Sequence, residues 1–236
     1  METSTELAVA LRLFQLNWVV IAAALAVFAV CLLSTDFRIE VRGYLIVLGG
    51  ALLYGVLGHL NRVSGTRSNS KVYFSLFAMA QMTIVLSILT SMTYIAASAD
   101  LPLQDANLLA FDRALGLDFR AYLNFMNDRP MLVGPLFFIY NSIQWQVLLI
   151  VVFLPLLGRG RRTAEFILCF AVALIATTII STLIPATGVY GELGLTETDF
   201  PNIVPGCYYY GLREIPPVRD GTKRFLDVFA LGPVLT

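Results

Sequence analysis

The chain has 236 residues, 58% of them hydrophobic and only 14% charged, against roughly 25% charged in an ordinary soluble domain. That is the composition of a protein solvated by lipid. Sixteen basic and sixteen acidic side chains cancel, so no global field recruits nucleic acid, and charge acts through its position along the chain.

A bilayer core about 30 Å thick needs roughly 20 apolar helical residues. Five stretches qualify: 13–33, 41–60, 72–97, 131–157 and 163–184. The first run carries no small-residue cleavage site and is read as a retained span. The second is interrupted by Gly49, Gly50, Gly55 and Gly58, and its Ala51 and Gly55 make a small-xxx-small pair that lets another helix approach. His59, the only histidine, closes that span beside Asn61 and Arg62. Catalytic histidines work with a base or an orienting group, so an isolated one reads as interfacial. On the third span Thr83, Ser87, Thr90, Ser91 and Tyr94 share a helical face, suited either to interhelical hydrogen bonds or to lining a substrate.

Between the third and fourth spans the chain is too polar to cross, yet Leu108, Leu115, Phe119, Tyr122 and Met126 recur at about helical spacing. This predicts an amphipathic helix or helix pair on the outer membrane face. The fourth span carries Tyr140, Asn141 and Gln144 on one side. Buried amides need hydrogen-bond partners, which leaves a structural network or a lipid-headgroup pocket. Glu165 opens the fifth helix, where a carboxylate suits the positive end of the dipole, and Thr178, Ser181 and Thr182 approach its far end. The remainder is rich in proline and glycine and reads as loops. It holds Arg213, Glu214, Arg219, Asp220, Lys223 and Arg224 within a dozen residues, and arginine offers planar, bidentate recognition of phosphate. A solvated loop of mixed charge is the other reading. Three scattered cysteines and one histidine assemble no metal site. No span has an interior acid or base of the kind that marks an ion path.

Orientation follows from where Lys and Arg gather. Arg62, Arg67 and Lys71 join spans two and three, and Arg159, Arg161 and Arg162 join four and five. Both connections are expected in the cytoplasm, with the N-terminus. The connection between spans three and four, with Asp100, Asp105, Asp112, Asp118 and Asp128 against three arginines, and the closing segment then lie outside. The fold class is therefore all-α: a polytopic membrane helical bundle of about five transmembrane helices. Its regions are a three-span part (1–98), an outer-face amphipathic segment (99–130), a two-span part (131–184) and an extracytoplasmic loop region (185–236).

The ordered motifs "DANLLAFDRALGLDFRAYL", "YNSIQWQ", "GRGRRTAEFILCF", "LIPATGVY" and "VRDGTKRFLDV" followed by "LGPVLT" resemble the membrane-bound type 2 phosphatidic acid phosphatase superfamily. The nearest branch is that of inositol phosphorylceramide synthases, which are inositolphosphotransferases. The resemblance covers about residues 100–236. It implies metal-free and cofactor-free transfer or cleavage of phosphate-containing headgroups at the outer face, through a phosphohistidine. It also implies that Arg219, Lys223 and Arg224 hold phosphate, that Asp220 and Gly221 shape the turn presenting them, and that Tyr140 and Gln144 occupy a polar span position.

In the family, a segment like "LGPVLT" leads into Phe-Pro-Ser-x-His, and a later His-x-x-x-Asp completes the site. Neither motif occurs in these residues, so no catalytic residue is assigned. The expectation is the N-terminal scaffold of a lipid phosphatase or phosphotransferase, inactive by itself and ending before its nucleophile. The rival is a non-catalytic multipass protein that binds lipid or a partner. Expected partners are a membrane lipid or its phosphorylated headgroup, with no nucleic acid, and either a second copy or a missing C-terminal part. The expected location is the plasma membrane, or the inner membrane if bacterial.

Overall fold

The computed structural model describes residues 4–65, 69–196, 198–203 and 206–231; the side chains of Ser4, Gln144 and 206–210 lie outside that description. In chain order the elements are α1 (Ser4–Ser34), β1 (Arg38–Ile39), α2 (Val41–Val63), α3 (Ser70–Ala97), α4 (Asp105–Ala114), α5 (Phe119–Asn127), α6 (Pro130–Asn141), α7 (Ile143–Leu156), α8 (Gly160–Leu183), α9 (Val189–Glu192), α10 (Gly206–Arg219) and β2 (Phe225–Leu226). Helices α1, α2, α3 and α8 are each long and apolar enough to cross a membrane, and α6 with α7 makes a fifth if counted as one span. The protein is an all-α, multi-pass bundle.

The single fourth span expected over 131–157 is divided at Ser142. Two local bonds compete with the helical ladder there, as short polar side chains do. Asn141 Nδ2 donates to the Phe137 carbonyl (2.8 Å) and Ser142 Oγ to the Ile139 carbonyl (2.7 Å). Pro135 and Pro155 remove further backbone donors within α6 and α7.

The closing segment is also not all loop. Helix α10 runs through Pro216 and Pro217 because burial overrides composition. Ile215 and Val218, three apart on one face, are fully buried, and the prolines fall in the last turn, where their carbonyls still accept from Asp220 N–H (2.9 Å) and Lys223 N–H (2.8 Å).

Two compact units are distinguished. One comprises Met1–Met92, Trp145–Ala176 and Arg224–Gly232. Its core packs α1, α3, α7 and α8 through Phe14, Phe74, Met82, Val151 and Ile167, and higher up through Ile21, Val85, Leu89 and Ala171. Close approach is made possible at Gly160, where a Cβ would sit 2.7 Å from the Phe74 ring, and at Gly58, where it would sit 2.7 Å from the Phe77 ring. Gly55 faces open space. The close-packed glycines of α2 are thus Gly43 and Gly58, and not Gly55 as the small-residue spacing suggested.

Two buried amides link helices in this apolar core, with Asn17 Oδ1 left without a partner among the described residues. Asn17 Nδ2 donates to Gln81 Oε1 (3.2 Å) and to the Ala164 carbonyl (3.1 Å), while Gln81 Nε2 donates to the Phe14 carbonyl (2.8 Å). Three hydroxyls of α3 bond back to carbonyls of their own helix: Ser75 to Lys71, Ser87 to Thr83 and Ser91 to Ser87. Ser91 also meets the Tyr44 hydroxyl on α2. Strand β2 runs parallel to β1, with Arg38 opposite Phe225 and Ile39 opposite Leu226. Glu40 then caps α2 through the N–H groups of Arg42 and Gly43.

The second unit comprises Thr93–Gln144 and Thr177–Lys223. The amphipathic segment predicted between spans is a helix pair, α4 and α5. Leu123 of α5 buries its side chain with Tyr190, Leu195 and Phe200, while Phe119 meets the Tyr190 ring edge-on at 5.7 Å.

Candidate functional site

The "PATG" loop that follows α8 is held by a carboxylate. Asp105, buried at the start of α4, accepts from Thr187 N–H (2.8 Å to Oδ1), Gly188 N–H (2.7 Å) and, more weakly, the Thr187 hydroxyl (3.4 Å). The Pro185 carbonyl in turn accepts from Gln104 N–H at 2.8 Å. Gly188 has φ of +107°, a conformation open to glycine at little cost. Helix α10 lies directly on this loop: a Cβ at Gly211 would stand 2.9 Å from the Thr187 carbonyl oxygen. Asp105 therefore fixes the loop, and the loop fixes the helix that ends in the cationic cluster.

At the end of α10 the chain reverses through a short turn. The Asp220 carboxylate accepts from Thr222 N–H (2.9 Å) and from its hydroxyl (2.7 Å), and Gly221 sits at φ +86°. The Thr222 hydroxyl also donates to the Pro217 carbonyl (3.3 Å). This geometry returns Lys223 to the helix, where its ammonium pairs with the Glu214 carboxylate. Glu214 accepts as well from the hydroxyl of fully buried Tyr94 (3.2 Å), and the Lys223 ammonium lies 5.0 Å from the centre of the Tyr94 ring. Electrostatics and cation–π attraction act together on one lysine.

Arg219 closes α10 with a guanidinium only 15% exposed. Its Nη2 donates to Asp100 Oδ1 (2.7 Å) and to the Leu101 carbonyl (2.7 Å). Asp100 adopts φ of +53°, an uncommon conformation for a residue with a side chain. Nη1 of Arg219 is buried and has no hydrogen-bond partner among the described residues. A buried donor left without an acceptor costs about 1–3 kcal/mol.

Arg224, the third expected cation, stacks over the Phe37 ring at 4.7 Å and begins the segment that forms β2. It thus belongs to the first unit, whereas Arg219 and Lys223 belong to the second. Tyr140 is exposed near the end of α6, and the side chain of Gln144 lies outside the described residues. His59 is exposed on α2. Glu165 makes local ion pairs with Arg161 (2.7 Å) and Arg162 (3.0 Å).

The partners that sequence reasoning missed are Asp100, Asp105, Glu214 and Tyr94. Each was visible as a charge or hydroxyl, but its role depends on a contact with a residue distant in the chain, or on a turn that composition does not signal.

The loop after α8, helix α10 and the turn that follows it fall within one stretch, while their partners Tyr94, Asp100 and Asp105 precede it. A family model for the PAP2 superfamily matches residues 106–223, half of the chain, from α4 to the turn at Lys223. No curated protein and no solved structure matches. With its apolar spans, its ordered motifs and this match, the chain belongs to the PAP2 superfamily.

Proposed function

We propose that this multi-pass membrane protein handles a phosphorylated lipid headgroup, and that the turn after α10 is its phosphate-holding side. The observation that carries the reading is Arg219. Its guanidinium is nearly buried, is oriented by Asp100 and Leu101, and keeps a buried donor unmatched. A phosphoryl oxygen is the acceptor for which arginine's planar fork is best suited. Lys223, tethered to Glu214, supplies a second positive charge four residues on. In phosphoryl transfer such cations stabilise charge that builds on the non-bridging oxygens.

The finer reading is a phosphatase or an inositolphosphotransferase-like transferase. An imidazole attacks phosphorus, the phosphorus–oxygen bond to the lipid breaks, a proton passes to the departing oxygen, and the phosphohistidine then yields to water or an acceptor alcohol. His59 is the one histidine in these 236 residues and has no paired imidazole. We therefore assign the chain the binding half of that chemistry, with no turnover by these residues alone. The charge of the loops supports an outward-facing turn and a cytoplasmic N-terminus. The rival, a purely structural turn, is favoured by the acids already paired with Arg219 and Lys223.

Calorimetric titration of the full chain in detergent with glycerol phosphate separates the two. Arg219→Ala is expected to weaken binding about tenfold or more, the value of one charge-assisted contact. Equal binding by the variant and the parent would assign the turn to structure.

A further inference from the structure

A cavity lies at the turn between α4 and α5. It has a volume of about 430 Å³ and is walled by the end of α4, the following turn, the start of α5 and Leu193. Arg113 and Arg120 line it, with Leu109, Leu117 and Phe119 supplying apolar surface. Both arginines are exposed, and among the described residues neither is held in an ion pair.

Two acids of this region accept hydrogen bonds from the chain. Asp118 caps α5 by accepting from Ala121 N–H at 3.1 Å. Asp199 is bound by the Thr196 backbone N–H (2.6 Å) and hydroxyl (2.9 Å). Those bonds hold its carboxyl below the usual range, with a smaller contribution from the positive charge of Arg120. Two exposed guanidinium groups thus line a cavity with one acid, Asp118, whose Oδ1 accepts from a backbone N–H. Around it, the helix pair exposes Phe111 (62%), Leu115 (61%), Tyr122 and Phe125. Exposed aromatic and aliphatic side chains interleaved with arginine are how a surface helix sits at the headgroup level of a bilayer.

We infer that the α4–α5 cavity is an accessory site for an anionic phospholipid headgroup, held by Arg113 and Arg120 with the acyl chains lying against the apolar rim. The site does not depend on the proposed role of Arg219. It would anchor the helix pair to anionic membrane and raise the local concentration of anionic lipid around the protein.

The test uses the full chain in phosphatidylcholine nanodiscs containing a photoactivatable phosphatidic acid, with adducts mapped by mass spectrometry. Adducts are expected on the segment 105–127. R113Q/R120Q should lower their yield about tenfold, and R113K/R120K, which keeps both charges, should retain most of it. Photoactivatable phosphatidylcholine should label this segment weakly, and inorganic phosphate should compete poorly. Unchanged yield in R113Q/R120Q, equal labelling by the two lipids, or efficient competition by inorganic phosphate would each overturn the inference. Adducts on 213–226 are scored separately, so the fate of the Arg219 reading does not decide this one.

Discussion

Replacing Asp105 with alanine is expected to destabilise the second unit by about 3 kcal/mol. The carboxylate receives two backbone N–H groups and a hydroxyl from Thr187 and Gly188. Hydrogen bonds to a charged acceptor are worth about 1.5–3 kcal/mol each, and truncation leaves part-buried donors without this partner. Because α10 rests on the Thr187 carbonyl at Gly211, loosening the loop also releases the turn that carries Arg219. The Asp105→Ala variant should therefore lose both thermal stability in detergent and glycerol phosphate binding. Loss of neither would mean that the loop is held by packing alone.

The second large effect is in the membrane core. Gln81 is completely buried and joins α3 to α1 through Asn17 and the Phe14 carbonyl. Interhelical hydrogen bonds in a bilayer average only about 0.6 kcal/mol, so two of them account for roughly 1 kcal/mol. Emptying the side-chain volume costs more, about 2 kcal/mol or above. Gln81→Ala should thus destabilise by about 3 kcal/mol and Gln81→Leu, which refills the space, by about 1 kcal/mol. Equilibrium unfolding in mixed micelles measures both. Equal losses would show that the amide's bonds and not its volume hold these helices together.

These two residues illustrate what the sequence reveals and what it hides. The membrane spans were legible because hydropathy is a sum over some twenty residues, and α1, α2, α3 and α8 satisfy it throughout. The break at Ser142 was hidden by the same averaging, since the side-chain bonds of Asn141 and Ser142 are single local events inside an apolar run. Helix α10 was hidden because its glycines and prolines argue for loop, while the burial of Ile215 and Val218 that stabilises it is tertiary. The cations of the candidate site were legible as a cluster of charge. Their orientation was not, because Arg219 is positioned by residues more than a hundred positions earlier, and no local pattern announces such a pair. Arg224 is the instructive case: adjacent to Lys223 in sequence, it stacks on Phe37 in the other unit.

The central claim is that Arg219 holds phosphate, and dipolar recoupling between nitrogen-labelled arginine and the phosphorus of bound glycerol phosphate addresses it at the atom concerned. A guanidinium-to-phosphorus signal that disappears in Arg219→Lys is the predicted result. A bound ligand whose signal is unaltered in that variant, or which shows no arginine contact at all, would contradict the account.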